Sequence, residues 1–273
     1  MKKLKRSARL VEMTHFMLDR PHSLIPLTLF AERYGSAKSS ISEDLGIIKE
    51  VFEGEGLGLV HTLAGAAGGV RYIPKVSLEA SKSFILKLIH QLENPERILP
   101  GGYLYMSDIL SEPRILNEIG RIFASAFAER NFDVVMTVET KGIPLAYATA
   151  TYLNLPVVTA RRDNKLTEGS AVSINYVSGS NKRIQTMSLS RRALPEESRV
   201  LIIDDFKRAG GTIQGMMDLL QEFKATVAGV GVFVESAEVE EHLIEDYVSL
   251  ARLRGVDSKS KQISVELGNY FDE

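Results

Sequence analysis

One stretch of this chain decides its fold: Val200-Leu201-Ile202-Ile203-Asp204-Asp205-Phe206-Lys207-Arg208-Ala209-Gly210-Gly211-Thr212. Its four leading apolar residues predict a buried strand, and the apolar residues that follow the stretch recur at helical spacing. Two adjacent carboxylates and a loop with paired glycines lie between the strand and the helix. Backbone N–H groups and the dipole at such a helix start favour a phosphate, and carboxylates accept hydrogen bonds from vicinal hydroxyls. This order of parts indicates a phosphoribosyl ligand rather than a generic anion.

The segments around that stretch predict an open sheet. From about residue 80, strands and helices alternate, which is typical of an α/β fold with a mainly parallel sheet flanked by helices. The predicted strands are 132–138, 156–160, 200–203 and 227–234, and the predicted helices are 115–128, 143–153 and one after Thr212. Ligands of such sheets bind beyond the carboxyl ends of the strands. Three loops are therefore expected to meet there, namely 139–142, 161–165 and 204–212.

Each of these loops has a predicted part in holding a polyanion. Asp204 and Asp205 are expected to hold ribose hydroxyls, and the loop after them to wrap a 5′-phosphate. The candidate residues of that loop are Phe206, Lys207, Arg208, Ala209, Gly210, Gly211 and Thr212. The pyrophosphate would meet the helix start at Thr140, Lys141 and Gly142. The alternative for the acidic pair is a helix-capping or turn role, and for Lys141 an ordinary solvated surface.

Further candidates lie outside the glycine loop. Arg161, Arg162 and Lys165 begin a polar stretch, to about Lys182, that is expected to be mobile and to close over the ligand. Taken singly, these cations also fit a solvated surface. Tyr103 either stacks on a purine or packs the sheet edge, and Phe206 has the same two interpretations.

The N-terminal segment has the pattern of a winged helix. Predicted helices at 7–19, 27–34 and up to about Phe52 are followed by short apolar strands at 57–60 and 70–73 around a Gly/Ala-rich tip. The candidate DNA-binding residues are Lys5, Arg6, Lys38, Ser39, Ser40, Ser42, Thr62, Gly65 and Arg71. The alternatives are a three-helix domain that never touches DNA and an ordinary glycine-rich hairpin.

Composition bounds the function. The 273 residues suffice for two domains, predicted at 1–74 (DNA-binding) and 75–273 (effector-binding), and the segment from Ser77 to Leu92 is expected to link them. Neither a membrane-length apolar run nor a signal peptide is evident, so a cytoplasmic location is expected. The chain has no cysteine, and no metal site is predicted. Residues 1–42 carry eight basic and three acidic side chains within a chain of net charge −2, which predicts a polyanion-binding end.

The quoted residues carry a resemblance to a known family. The stretch from Val200 to Thr212 resembles the signature of type I phosphoribosyltransferases, which bind phosphoribosyl pyrophosphate (PRPP). With a winged helix in front, the chain resembles the purine operon repressors of Gram-positive bacteria, also at Glu139-Thr140-Lys141-Gly142-Ile143-Pro144. The resemblance implies a homodimeric regulator without a cofactor or transferase activity, which binds double-stranded operator DNA and releases it on binding PRPP. It also implies guanosine tetraphosphate as a competing effector, and it leaves a need for Mg²⁺ open.

The chain departs from a working transferase in the phosphate loop. Ala209 stands where the signature has Thr or Ser, and Lys207 and Arg208 replace an uncharged pair, adding charge that favours retention over turnover. An active purine phosphoribosyltransferase with an accessory N-terminal domain is the main alternative. An RNA-binding regulator of the pyrimidine attenuator class, which shares this fold, is a third.

Overall fold

The structure is a computed structural model that describes residues 4–65, 68–101, 103–162, 169–177, 184–238 and 243–272. Its backbone contacts divide the chain into two units. Unit 1 comprises Met1–Ser77 with Tyr152–Asn154, and unit 2 comprises Leu78–Thr151 with Leu155–Glu273. The division after Ser77 falls close to the boundary that the sequence predicts after Pro74.

Unit 1 combines three helices with a small antiparallel sheet. Its elements are α1 (Arg6–Leu18), β1 (Ile25–Pro26), α2 (Leu27–Tyr34), α3 (Lys38–Gly54), β2 (Leu59–Leu63) and β3 (Gly69–Ile73). The strand order is β1-β3-β2. Gly35 adopts a left-handed conformation (φ 57°) that ends α2 and turns the chain towards α3. This is the helix-turn-helix and wing that the sequence predicts.

The core of unit 1 follows helical periodicity only in part. Helical spacing predicts that Ile41, Leu45, Ile48 and Phe52 face inward from α3, and all four are buried. The sequence also predicts that Leu10, Val11, Phe16, Met17 and Leu18 lie near the inward face of α1. This is partly wrong, because Val11 is 71% exposed and the helix packs through residues such as Met13. No side chain caps the start of α3, although serines precede and follow it. A run of mixed apolar residues such as that in α1 admits more than one inward face.

Unit 2 is built around a six-stranded sheet in the order β13-β12-β11-β10-β6-β7, in which only β13 runs antiparallel to its neighbour. The first elements are α4 (Leu78–Leu92), β4 (Ile98–Leu99), β5 (Tyr103–Leu104), α5 (Pro113–Ala126), β6 (Val134–Val138), α6 (Gly142–Leu153) and β7 (Val157–Ala160). They are followed by β8 (Ala171–Val177), β9 (Ile184–Ser190), β10 (Arg199–Lys207), α7 (Gly211–Gln221), β11 (Thr226–Ser236), β12 (Val248–Asp257) and β13 (Gln262–Leu267). The mainly parallel sheet confirms the predicted fold class.

Two segments of unit 2 differ from the sequence prediction. The polar stretch expected to be mobile contains β8, which pairs antiparallel with β9. The signal for this strand was the period-two alternation of Val172, Ile174 and Tyr176, whose side chains pack on the core beside α7. The predicted linker helix, α4, is part of unit 2 and packs against β13, where the Glu93 side chain accepts a hydrogen bond from the Val265 N–H at 3.1 Å.

Candidate functional site

A cavity of about 740 Å³ opens at the carboxyl end of β10, where α7 begins. The predicted residues that line it are Tyr103, Lys141, Asp205, Phe206, Lys207, Arg208, Ala209, Gly210, Gly211 and Thr212. Its volume suits a ligand of nucleotide size, since ligand pockets span about 300–1,000 Å³. The cavity lies where parallel sheets place their ligands, beyond the strand ends.

Local sequence explains the shape of the phosphate loop, defined here as residues 208–212. The apolar run of β10 is fully buried from Val200 to Ile203, which fixes the strand in the middle of the sheet. Gly210 then takes φ 93°, a conformation open to glycine at little cost, and serves as the N-cap of α7. The Gln214 N–H donates to the Gly210 carbonyl at 2.8 Å, which closes the first helical turn. The free N–H groups of that turn provide an anion-binding end.

The two adjacent carboxylates have different surroundings. Asp205 lines the cavity, whereas Asp204 is only 4% exposed and is absent from the lining. The Asp204 Oδ1 accepts a hydrogen bond from the Asp205 N–H at 3.0 Å. Burial and the neighbouring Asp205 charge raise the pKa of Asp204 well above its ordinary value. Burial also raises the pKa of Asp205, although the hydrogen bond with Asp204 and the charge of Lys141 oppose this shift.

The loop before α6 supports the acidic pair from one side. Lys141 lines the cavity, and its charge acts on Asp205. Thr140 and Gly142 do not line it. Gly142 instead lies against the acidic pair, because a Cβ at that position would come within 2.9 Å of the Asp204 Oδ1. Of the predicted pyrophosphate residues, therefore, only Lys141 borders this cavity.

The two described arginines that the sequence predicts to close over the ligand are bonded through their backbones to neighbouring segments. Arg161 exchanges backbone hydrogen bonds with Ser188 of β9, at 2.9 and 2.8 Å. The Arg162 N–H donates to the Glu139 carboxylate at 2.7 Å, and the Arg162 charge favours the ionised form of Asp204. Neither arginine lines the cavity. The third predicted cation, Lys165, lies outside the described residues.

Lys207 does not extend its charge into the cavity as the sequence suggests. Its side chain is 1% exposed, and its ammonium lies 4.2 Å from the centre of the Tyr247 ring. Burial lowers the pKa of Lys207, while the charge of Glu235 opposes that shift. Lys207 therefore borders the cavity while its ammonium lies over the Tyr247 ring, and the other cations of the lining are Arg208 and Lys141.

The rest of the lining is mostly apolar and was missed by the sequence prediction. It comes from the segment around β4 and β5 and from the ends of β11 and β12, and includes Leu99, Leu104, Met106, Leu253 and Val256. Tyr103 is 49% exposed at this border. Phe206 lines the same cavity as these apolar side chains. The sequence signal for this part of the lining was the pair of apolar runs after residue 226 that form β11 and β12. These strands lie beside β10 in the sheet, and their ends reach the same edge.

Most of the predicted DNA-binding residues lie on the surface of unit 1. Lys5, Lys38, Ser39, Ser42, Thr62 and Gly65 are exposed, and Ser40 is half-buried. Arg6 is engaged within the unit, since its Nε donates to the Asp44 Oδ1 at 2.8 Å, although its side chain stays 53% exposed. Arg71 is half-buried, and its Nε has no hydrogen-bond partner within the described structure.

The described residues contain no cluster of three or more histidine and carboxylate side chains placed to bind a metal ion. They also contain no helix with the length and apolar character needed to cross a membrane.

The fold and the cavity define a class of protein: a winged-helix unit joined to a unit with the phosphoribosyltransferase fold. Two family models match accordingly, "Bacterial purine repressor, N-terminal" over residues 5–74 and "Phosphoribosyl transferase domain" over residues 106–267. The chain belongs to the family of bacterial purine repressors.

Relatives and solved structures agree with this membership. The chain is 60% identical to the purine biosynthesis transcriptional repressor of Bacillus subtilis, over 98% of this chain and 94% of that one. It is 46% identical to the purine biosynthesis transcriptional activator of Lactococcus lactis, over 99% of this chain and 100% of that one. The adenine phosphoribosyltransferase of Thermoanaerobacter pseudethanolicus covers 61% of this chain and 99% of its own, with a TM-score of 0.54 and 21% identity, which reflects a shared fold.

Proposed function

We propose that this protein represses purine biosynthesis genes by binding operator DNA through unit 1, and that PRPP binding in the cavity of unit 2 relieves repression. The observation that carries the proposal is the cavity at the end of β10, where Asp205, Lys141 and the phosphate loop meet. A carboxylate for ribose hydroxyls, a helix start for the 5′-phosphate and a cation for the pyrophosphate form one site. The 60% identity to a repressor, against 46% to an activator, favours repression.

We propose that the protein has no transferase activity. Relatives that span the whole chain are named as transcriptional regulators. Ala209 gives the phosphate loop no hydroxyl donor at this position. Pyrophosphate release from PRPP with adenine, guanine, hypoxanthine or xanthine would support the alternative of an active enzyme. RNA binding that survives deletion of residues 1–77 would support the attenuator-like alternative.

We propose two accessory properties of this function. Guanosine tetraphosphate, like PRPP, is a polyanion with pyrophosphate on a ribose, and it would compete with PRPP for the cavity. The repressor would act as a homodimer, since dimers match the two-fold symmetry of operators. Any Mg²⁺ would arrive with the polyphosphate, whose oxygens are ligands of the kind this ion prefers.

The deciding experiment is a titration of labelled purine-operon promoter DNA with the full chain, with and without PRPP. Saturating PRPP is expected to weaken DNA binding by about tenfold, within the usual range of allosteric coupling. Runs with and without Mg²⁺, and with ribose 5-phosphate in place of PRPP, separate the contributions of the metal and the pyrophosphate. Equal DNA affinity at every PRPP concentration would contradict the proposal.

A glycine in α3 allows a test of the DNA-binding face. Gly46 lies at helical spacing from Ser39 and Ser42 on the exposed side of α3, and a Cβ there would have no neighbour within 4 Å. Gly46→Ala is expected to stabilise unit 1 by about 0.5–1 kcal/mol. If this face contacts DNA, the same methyl group weakens operator binding by about tenfold, equivalent to about 1.4 kcal/mol.

Gly54→Ala is the matched control, because Gly54 also has open space at its Cβ position but lies at the far end of α3. Urea denaturation measures the stability of both variants, and DNA titration measures their affinity. We expect only Gly46→Ala to lose affinity. If both variants bind operator DNA as well as the wild-type protein does, α3 does not present this face to DNA.

A further inference from the structure

Lys207 is a buried lysine beside a ligand cavity, and the proposed ligand contacts do not use its charge. Lysine is among the residues least often fully buried, and burial removes the hydration of its ammonium. Here the ammonium lies over the face of Tyr247, 4.2 Å from the ring centre. Such a cation–π contact is strongest when it is shielded from water. This contact ties the residue just before the phosphate loop to Tyr247.

Tyr247 belongs to a short segment, residues 243–247, which we call the strap. The strap contacts the phosphate loop at two further points. The Leu243 N–H donates to the Ala209 carbonyl at 3.0 Å. The Ile244 side chain lies 3.4 Å from the position that a Cβ on Gly210 would occupy. The strap therefore contacts Lys207, which precedes the phosphate loop, and Ala209 and Gly210 within the loop.

A buried carboxylate anchors the strap to the sheet. Glu235 of β11 is 2% exposed and accepts hydrogen bonds from the Tyr247 hydroxyl, from Ser249 Oγ at 2.7 Å and from Arg252 Nε at 2.9 Å. Burial alone would raise the pKa of Glu235, but these hydrogen bonds outweigh it and lower the pKa. The Asn269 side chain also donates to the Tyr247 carbonyl at 2.9 Å. Tyr247 is thus held at both its hydroxyl and its backbone.

We propose that Lys207 and Tyr247 are positioning residues that hold the phosphate loop in the shape that accepts the ligand phosphate. The inference rests on the proposed function, because it assigns these two residues to the same PRPP site. An anion-binding loop gains affinity when its N–H groups are ordered before the ligand arrives. The strap supplies that order through Lys207, Ala209 and Gly210, and the ammonium of Lys207 acts on the loop rather than on the ligand.

The test is a double-mutant cycle with Lys207→Met and Tyr247→Leu in the full chain, with PRPP affinity measured by calorimetry. Each single variant is expected to bind PRPP about tenfold more weakly than the wild-type protein. The double variant is expected to bind no more weakly than either single variant, because the two substitutions remove the same Lys207–Tyr247 contact. Arg208→Met is the contrast, since Arg208 lines the cavity and would attract the polyanion directly. Its effect should shrink as salt rises, whereas that of Lys207→Met should stay constant.

Each outcome decides the inference. Coupled losses that do not vary with salt support it. Additive losses, or a Lys207→Met loss that shrinks with salt, assign Lys207 to direct ligand attraction and overturn it. If Tyr247→Leu does not fold, the salt dependence of Lys207→Met decides alone. If the wild-type chain does not bind PRPP, the proposed function itself is wrong. If the wild-type chain binds PRPP and Lys207→Met binds it with the same affinity, only this inference is overturned.

Discussion

The Asp205→Asn variant is expected to bind PRPP about 100-fold more weakly than the wild-type protein and to remain on operator DNA when PRPP is added. Asp205 is the member of the acidic pair that lines the cavity. A carboxylate accepts hydrogen bonds from two vicinal hydroxyls, whereas an amide presents one acceptor and one donor group. Hydrogen bonds to a charged group contribute about 1.5–3 kcal/mol each, so one lost bond and one weakened bond give a loss of this size.

Calorimetry with PRPP measures the affinity, and DNA titration at saturating PRPP for the wild-type protein measures the response. Operator affinity without PRPP is the control and should stay within about twofold of wild type, because Asp205 lies in unit 2. An Asp205→Asn protein that releases DNA at the wild-type PRPP concentration would remove Asp205 from the site.

The same substitution at the neighbouring carboxylate, Asp204→Asn, is expected to change how the stability of the folded protein depends on pH. Because burial and the charge of Asp205 raise the pKa of Asp204, its ionised form destabilises the folded state. Its stabilising contribution is present below the ordinary pKa of the carboxyl group and is lost as pH rises through the raised pKa. Asp204→Asn is therefore expected to raise the unfolding midpoint at neutral pH by about 2–4 °C, and by less at pH 4. A midpoint below that of wild type at neutral pH would contradict this account of Asp204.

The sequence predicts the elements of this fold that have strong periodicity. The buried run of β10 and the glycines after it specify a strand, an anion-binding turn and α7, because these local conformations follow from the residue types. β8 escaped prediction since its alternating residues sit in a polar stretch. The inward face of α1 was predicted only in part, because apolar residues surround the helix. Met17 is buried as expected, whereas packing against other elements also buries Met13 and leaves Val11 exposed.

The candidate site was likewise predictable in part: its local loop follows from the sequence, whereas contacts with distant segments do not. Residues close in sequence, Asp205 to Thr212, line one cavity as predicted. The partners of their neighbours could not be predicted, because they depend on contacts that are distant in sequence. Lys207 meets Tyr247 across the strap, and Arg6 meets Asp44 across two helices. A cation in a sequence motif therefore indicates charge at a binding site only where no carboxylate or aromatic ring from another element already contacts that cation.

The second large effect is expected at that helix pair. Asp44 of α3 has a side chain only 1% exposed, and it accepts hydrogen bonds from Arg9 Nε and Nη2 at 2.9 and 2.7 Å and from Arg6 Nε at 2.8 Å. Asp44→Ala leaves the buried Arg9 guanidinium without its carboxylate, which costs about 3–5 kcal/mol. A loss of this size consumes much of the stability of a small domain. Operator binding should disappear, whereas PRPP affinity, which depends on unit 2, should persist.

Two variants separate charge from structure in this prediction. Glu43→Ala removes the same charge from the neighbouring position, whose side chain is 71% exposed. It should change the free energy of unfolding by no more than about 0.5 kcal/mol. Arg9→Met with Asp44→Leu replaces the buried pair by apolar groups of similar size and should recover most of the stability. Denaturation followed by circular dichroism measures all three. If the double variant is as unstable as Asp44→Ala, the loss comes from packing at Asp44 rather than from an unpaired guanidinium, and the electrostatic account of the α1–α3 contact is wrong.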